Sequence, residues 1–297
     1  MTVHDGEIAI GEPLVRELLG EQCPQWAGLP LRQAGAGTEN VMFRLGDGLL
    51  VRLPRTTDRS GALRKEVRWL PRLAARLSSR IPAVSYVGTP TASYPADWAV
   101  FGWIDGAEAG PSTVGDWAVF GADLAGFVRE LHTVPLDGAE RGGDLSWYRG
   151  GHLAPCDEWV GRALAECRPL IGGSQVDALA RVWRAGLALP ESGARHVWLH
   201  GDLKPTNLLV TGRRLGAVID FGALSVGLPD AEHATVWDLP GAAREAYRSG
   251  LGLDEVTWMR ARAWAVAVAV SGIAYYWATF PEFVAECRAR VAFILES

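Results

Sequence analysis

The stretch that most constrains this chain runs from Trp198 to Gly222, WLHGDLKPTNLLVTGRRLGAVIDFG. Apolar runs flank three polar groups, Asp202, Asn207 and Asp220. Leu208–Val210 and Ala217–Ile219 read as short buried strands, joined by the turn-rich Thr211-Gly212-Arg213-Arg214. A hairpin of that kind carries Asn207 and Asp220 on neighbouring ends. Asp202 falls in the loop just before it, stiffened by Pro205. The spacing therefore predicts that two carboxylates and one amide converge on one small volume.

Phosphoryl transfer needs those groups. Its transition state is loose, with charge on the phosphate oxygens, so a protein mainly positions groups and neutralises charge. Asp220 suits a hard cation bridging phosphates, and Asn207 adds a neutral oxygen ligand. Asp202 can accept the proton of an attacking hydroxyl. Protein kinases arrange the same parts as H-x-D, an Asn five residues on, and D-F-G. His200-Gly201-Asp202, Asn207 and Asp220-Phe221-Gly222 stand at those spacings. Turn-capping explains each residue singly but not the ordered set. His200 reads as a structural hydrogen-bonding residue.

HGDLKPTN followed by IDFG resembles the aminoglycoside phosphotransferase family of small-molecule kinases, particularly its actinobacterial members. The lead-in GTENVMFRLGDGLLVRLPR and the tail ARAWAVAVAVSGIAYYW share the resemblance, which covers all but the first dozen or so residues. It implies an α+β, bilobal protein-kinase-like fold. A small β-sheet lobe over residues 1–105 would bind nucleotide, and a larger helical lobe over residues 106–297 would hold the catalytic and acceptor-binding groups. It implies ATP, with GTP open, and Mg2+ as cofactors. Asp202 would be the catalytic base, with Asn207 and Asp220 as metal ligands.

The remaining nucleotide contacts are expected earlier in the chain. Gly35 and Gly37 lie in a segment whose backbone N–H groups could approach phosphates. The resemblance adds Thr38 and Asn40 as polar contacts there. Arg52, in VRLP, stands where kinases carry Lys, and Arg can pair with phosphate bidentately. Glu66, in the helix-like 62–77, is its natural partner, although Arg64, Lys65 and Arg68 also fit a solvated helix face. The connector is placed at 101–106. There the resemblance implies that the Gly102 carbonyl and Ile104 amide hold the adenine edge.

Two departures from the family pattern follow the second motif. Where the family has G-D-P-x-x-D-L, this chain has Leu228 and Glu232 for the two Asp residues. Glu232 keeps the charge with longer reach. Leu228 cannot accept hydrogen bonds, so a looser loop is expected.

Bulk properties narrow the partners. Net charge is −5 with scattered Lys and Arg, against the concentrated basic face nucleic acid requires. The acidic balance is compatible with a cationic acceptor. Cys23, Cys156, Cys167 and Cys287 show no metal spacing and read as reduced thiols of a cytoplasmic protein. The N-terminus does not read as a signal peptide. Residues 263–280 are apolar but read as a buried helix rather than a membrane span. No obligate protein partner is evident.

The acceptor stays open. It is expected to be a small-molecule hydroxyl compound, first an aminoglycoside-type antibiotic. Asp157, Glu158, Asp230, Glu232, Asp238, Glu282 and Glu286 are the acids that could hold amines. A macrolide, or a metabolite of amino-sugar, choline or homoserine type, is an alternative, as is a nucleotide-binding regulator without turnover. Trp258, Trp264 and Trp277 read as core.

Overall fold

The computed structural model describes residues 6–36, 39–57 and 60–296. The chain divides into two compact units. The first comprises residues 1–106 with 217–222, the second 107–216 with 223–297.

The first unit opens with α1 (Glu12–Gln22), started by a proline in its first turn, where a missing N–H costs nothing. Then come β1 (Leu31–Ala36), β2 (Asn40–Leu45) and β3 (Leu49–Pro54). Apolar residues alternate along β2, so Val41, Phe43 and Leu45 are buried while their neighbours are half-exposed. Helix α2 (Ser60–Ala74), β4 (Val84–Gly88) and β5 (Trp98–Gly102) complete the unit. The strands form one antiparallel sheet in the order β1-β2-β3-β5-β4. Val15, Leu18 and Leu19 of α1 pack with Val51, Leu53, Trp98 and Val100 into its core.

The second unit begins at β6 (Ala107–Glu108) and α3 (Trp117–Thr133). Asp116 caps α3, accepting from the Ala118 and Val119 amides at 2.7 and 3.1 Å. Short 3-10 turns over residues 143–156 lead into α4 (Asp157–Ile171) and α5 (Gly173–Leu187). β7 (Val197–Leu199) precedes the hairpin of β8 (Leu208–Thr211) and β9 (Arg214–Val218). The two-residue loop has positive φ at both Gly212 and Arg213, the backbone twist that tight hairpins favour. β10 (Ser225–Gly227) pairs antiparallel with β7. A 3-10 run over Pro229–Asp238 then leads to α6 (Gly241–Leu251), α7 (Glu255–Tyr276) and α8 (Pro281–Glu296).

Helix α7 is the central element of the second unit. Its Ala263–Ala267 run and Val270 are fully or almost fully buried, and it packs against α4, α5 and α8. Among the described residues no helix is long and apolar enough to cross a membrane. All four cysteines are buried free thiols.

Several local expectations change. Gly35 is taken up in strand β1, which has a register shift between Gln33 and Gly35. Leu228 does not loosen its segment: it is buried, and its amide donates to the Gly150 carbonyl at 2.9 Å. The two segments meet so closely here that a Cβ on Gly227 would stand 2.5 Å from Gly150 Cα. Trp264 is core, but Trp277 is exposed and Trp258 is half-buried, packed on Trp237 at 4.6 Å between ring centroids.

Candidate active site

In the first unit, Arg52 sits on β3 with its guanidinium buried and enclosed by acceptors. Its Nη1 donates to Glu66 Oε2 at 2.7 Å, and its Nη2 reaches Asp220 Oδ1 at 3.3 Å. With the Asn40 amide turned to accept, Asn40 takes bonds from Arg52 Nη2 at 3.0 Å and Nε at 3.2 Å. So Asn40 contacts the arginine. Burial opposes the Arg52 charge, but Glu66 and Asp220 outweigh it and hold the guanidinium pKa above its usual value. Burial dominates at Glu66 and, against the pull of Arg52, pushes its carboxyl up to about 7. Glu66 Oε1 is buried without a hydrogen-bond partner.

Asp220 is half-exposed and has a φ of +64°, a left-handed conformation that Asp tolerates better than most residues. The glycine after it matters for space. A Cβ on Gly222 would stand 3.3 Å from Asp220 Oδ1.

The other nucleotide candidates have varied settings. Gly35 lies in β1, paired with Met42. Gly37 and Thr38 lie outside the described residues. Gly102 ends β5, its amide donating to the Ala83 carbonyl at 2.8 Å. Ile104 follows, half-buried and outside any strand.

In the second unit, β7 delivers His200-Gly201-Asp202. Glu232, buried, accepts from the His200 amide at 2.8 Å and the Gly201 amide at 2.9 Å. Gly201 has a φ of +83°, and a Cβ there would come within 2.7 Å of the Ala223 carbonyl oxygen, so only glycine fits without strain. The Asp202 amide donates to His200 Nδ1 at 3.2 Å, the structural role expected of that histidine. Burial pushes the Glu232 carboxyl up to about 7, although the Gly201 and His200 amides oppose the shift.

Asn207 organises Asp202 itself. Its Nδ2 donates to the Asp202 carbonyl at 2.8 Å and to Asp202 Oδ2 at 3.1 Å. The 3-10 turn Pro205–Asn207 fixes that approach. Both donor bonds come from nitrogen, so the amide oxygen stays available as a metal ligand. The structure thus brings together Asp202 and Asn207 in one unit, and Arg52, Glu66, Asn40 and Asp220 in the other. Among the described residues no group of three His, Cys, Asp or Glu could hold a metal ion. Asp220 and Asn207 belong to different units, and each carries a side-chain oxygen of the kind that ligates a hard cation such as Mg2+.

Arg149 and Arg290 were not singled out by sequence. Arg149 Nη1 donates to the Gly201 carbonyl at 2.7 Å and lies 3.6 Å from Asp202 Oδ1. Arg290, on α8, binds Asp238 through Nε at 2.6 Å and Nη2 at 2.5 Å. Both line an open cleft beside Asp202, with Lys204, Glu232 and Asp238. Both partnerships are remote in sequence, so no local spacing signals them. The candidate amine-binding acids are largely engaged. Asp157 accepts from Trp183 Nε1, Glu158 pairs with Arg162, and Asp230 pairs with Arg260. Glu282 and Glu286 are exposed on α8.

A family comparison bears on this arrangement directly. The model of the phosphotransferase enzyme family matches residues 30–264, and the chain belongs to that family. A search of curated protein sequences gives no match. Solved structures share the fold at low identity. The GDP complex of wild-type aminoglycoside 2'-phosphotransferase-IIIa is 18% identical, with a TM-score of 0.76 over 97% of this chain and 99% of that one. The streptomycin–ATP ternary complex of APH(2'')-IIa is 17% identical, with a TM-score of 0.64 over 97% of both chains. Macrolide 2'-phosphotransferase MphH from Brachybacterium faecium is 22% identical, with a TM-score of 0.60 over 95% of this chain and 97% of that one. The fold is the α+β, kinase-like fold of these enzymes.

Proposed function

We propose that this phosphotransferase moves the γ-phosphoryl group of ATP to a hydroxyl of a small-molecule antibiotic, of aminoglycoside type. Asp202 accepts the hydroxyl proton as the acceptor oxygen attacks the γ-phosphorus. Asn207 holds the Asp202 carboxylate through Oδ2, which leaves Oδ1 for the incoming hydroxyl. Arg52, fixed by Glu66, would pair with the phosphates, and the Gly35–Asn40 segment, with Gly37 and Thr38, would add its contacts to them. Gly102 and Ile104 receive the adenine edge through their backbone. Asp220 and the Asn207 oxygen are the groups that would hold Mg2+, which would supply charge neutralisation on the phosphate oxygens. An ATP-dependent activity of this kind would belong to the cytoplasm.

The observation that carries this reading is the setting of Asp202. It is a partly exposed carboxylate on a backbone turn gripped by Glu232 and Arg149, and it lines a cleft with Lys204, Asp238 and Arg290. The streptomycin–ATP complex of a protein with the same fold supports the acceptor class.

One observation favours a macrolide as the second reading. Trp147 and Tyr148 are exposed and form a ring cluster with Trp159 and Trp264 around Tyr148. Such a surface suits a large apolar ligand, and a macrolide phosphotransferase shares the fold.

An assay of ADP release tests both. Kanamycin, streptomycin, gentamicin and erythromycin would be offered with ATP or GTP and Mg2+, beside choline, homoserine and glucosamine. Phosphorylation of an aminoglycoside is the expected result. Turnover confined to a metabolite would reject the antibiotic assignment.

A further inference from the structure

The cleft beside Asp202 contains one group that the reaction so far leaves unused. Arg290 is 6% exposed, and two of its nitrogens bind Asp238. The third, Nη1, is buried with no hydrogen-bond partner, although the residue lines the cleft. A buried donor without an acceptor is costly and uncommon in native proteins. Guanidinium carries donors only, so its complement is an oxygen lone pair and never an ammonium.

The other charges of the cleft point the same way. Asp238 is engaged on both oxygens by Arg290. Glu232 is engaged by two backbone amides. Asp202 is the proposed base, with Arg149 at 3.6 Å. Arg149, Lys204 and Arg290 contribute three cations. No carboxylate of this cleft other than the base is left for an amine.

We infer that Arg290 is an acceptor-binding residue. Its Nη1 donates to a hydroxyl, ether or carbonyl oxygen that the acceptor carries beside the reacting hydroxyl. The oxygen-bearing side of a sugar or polyol therefore enters the cleft, and its ammonium groups stay outside. This rests on the phosphotransfer reading above and narrows its substrate class.

The test compares the wild type with Arg290→Gln and with the double variant Asp238→Asn/Arg290→Gln, which leaves no unpaired buried carboxylate. Kanamycin, streptomycin and erythromycin serve as probes. Calorimetry with ADP bound gives their Kd, and ADP release gives KM for probe and for ATP. Both variants should bind the accepted probe about tenfold or more weakly, the loss of one hydrogen bond from a charged donor, with KM for ATP unchanged.

The sign is decisive. An ammonium in the cleft would be repelled by Arg290, so tighter binding in the variants overturns the inference. Unchanged affinity overturns it too, as does a joint loss for probe and ATP with a fall in Tm. Binding that depends on Arg290 without ADP release would reject phosphotransfer and leave the inference standing. ADP release with unchanged KM in both variants would do the reverse. No binding of any probe to the wild type rejects both.

Discussion

Arg149 donates to the Gly201 carbonyl at 2.7 Å, while the amide of the same glycine is held by Glu232 at 2.9 Å. The turn before Asp202 is thus clasped at both polar ends of one residue, by the buried Glu232 and the half-buried Arg149. Neither clasping group needs to touch substrate to matter. The geometry of the base depends on both.

Replacing Arg149 by Ala should therefore lower kcat about tenfold or more, with little change in KM for ATP. Small misplacements of reacting groups cost that much or more. Guanidine hydrochloride added to the assay should restore part of the loss by refilling the cavity. Unchanged kcat in the variant would remove Arg149 from the positioning machinery.

Asp202→Ala tests the base itself. Turnover should fall to background while ATP still raises Tm in the presence of Mg2+, because binding the folded state alone stabilises it. Full activity in this variant would exclude Asp202 as the proton acceptor.

Glu66→Ala leaves Arg52 buried with its strongest partner gone. Breaking one side of a buried pair typically costs about 3–5 kcal/mol. Chemical denaturation should show a loss of that order, and KM for ATP should rise. A variant as stable as the wild type would mean that Asp220 and Asn40 hold the guanidinium unaided.

Glu232 gives a pH signature. In the unfolded chain its proton leaves near 4.5, but in the folded protein burial retains it up to about 7. The stability this contributes is full below about 4.5 and is lost as pH rises through about 7. Glu66 adds a shift of the same sign. Tm followed from about pH 5 to about pH 8 should fall more steeply for the wild type than for Glu232→Gln, which cannot titrate. Parallel curves would show that Glu232 does not change protonation over that range.

Gly201→Ala should destabilise the protein by about 1–3 kcal/mol, since the left-handed backbone and the Ala223 carbonyl both oppose a side chain. Equal stability by denaturant titration would contradict the close approach described here.

Parts of this architecture could be read before folding was considered. Helix α3 announces itself through Asp116 and its apolar spacing, and β2 with β3 through alternation around Gly46-Asp47-Gly48. The Asp202–Asn207 spacing works because one 3-10 turn joins the two residues, so a local signal suffices. β1 hides because its register shift disrupts alternation, and β6, β7 and β10 are two or three residues long. Helix α6 begins on glycine and carries no capping side chain. Arg149 and Arg290 reach partners 52 residues away, and nothing near either residue marks those bonds. Leu228 misled for the opposite reason. A missing carboxylate suggested looseness, but an apolar side chain in a buried segment adds packing.

The four thiols, buried and unpaired, have a practical consequence. Desolvation keeps each in its unreactive protonated form. A cysteine introduced at Tyr275, which is 70% exposed, should react selectively with a maleimide or spin label in the otherwise native chain. Fluorescence or paramagnetic reporters could then be attached without first stripping out the natural sulfurs.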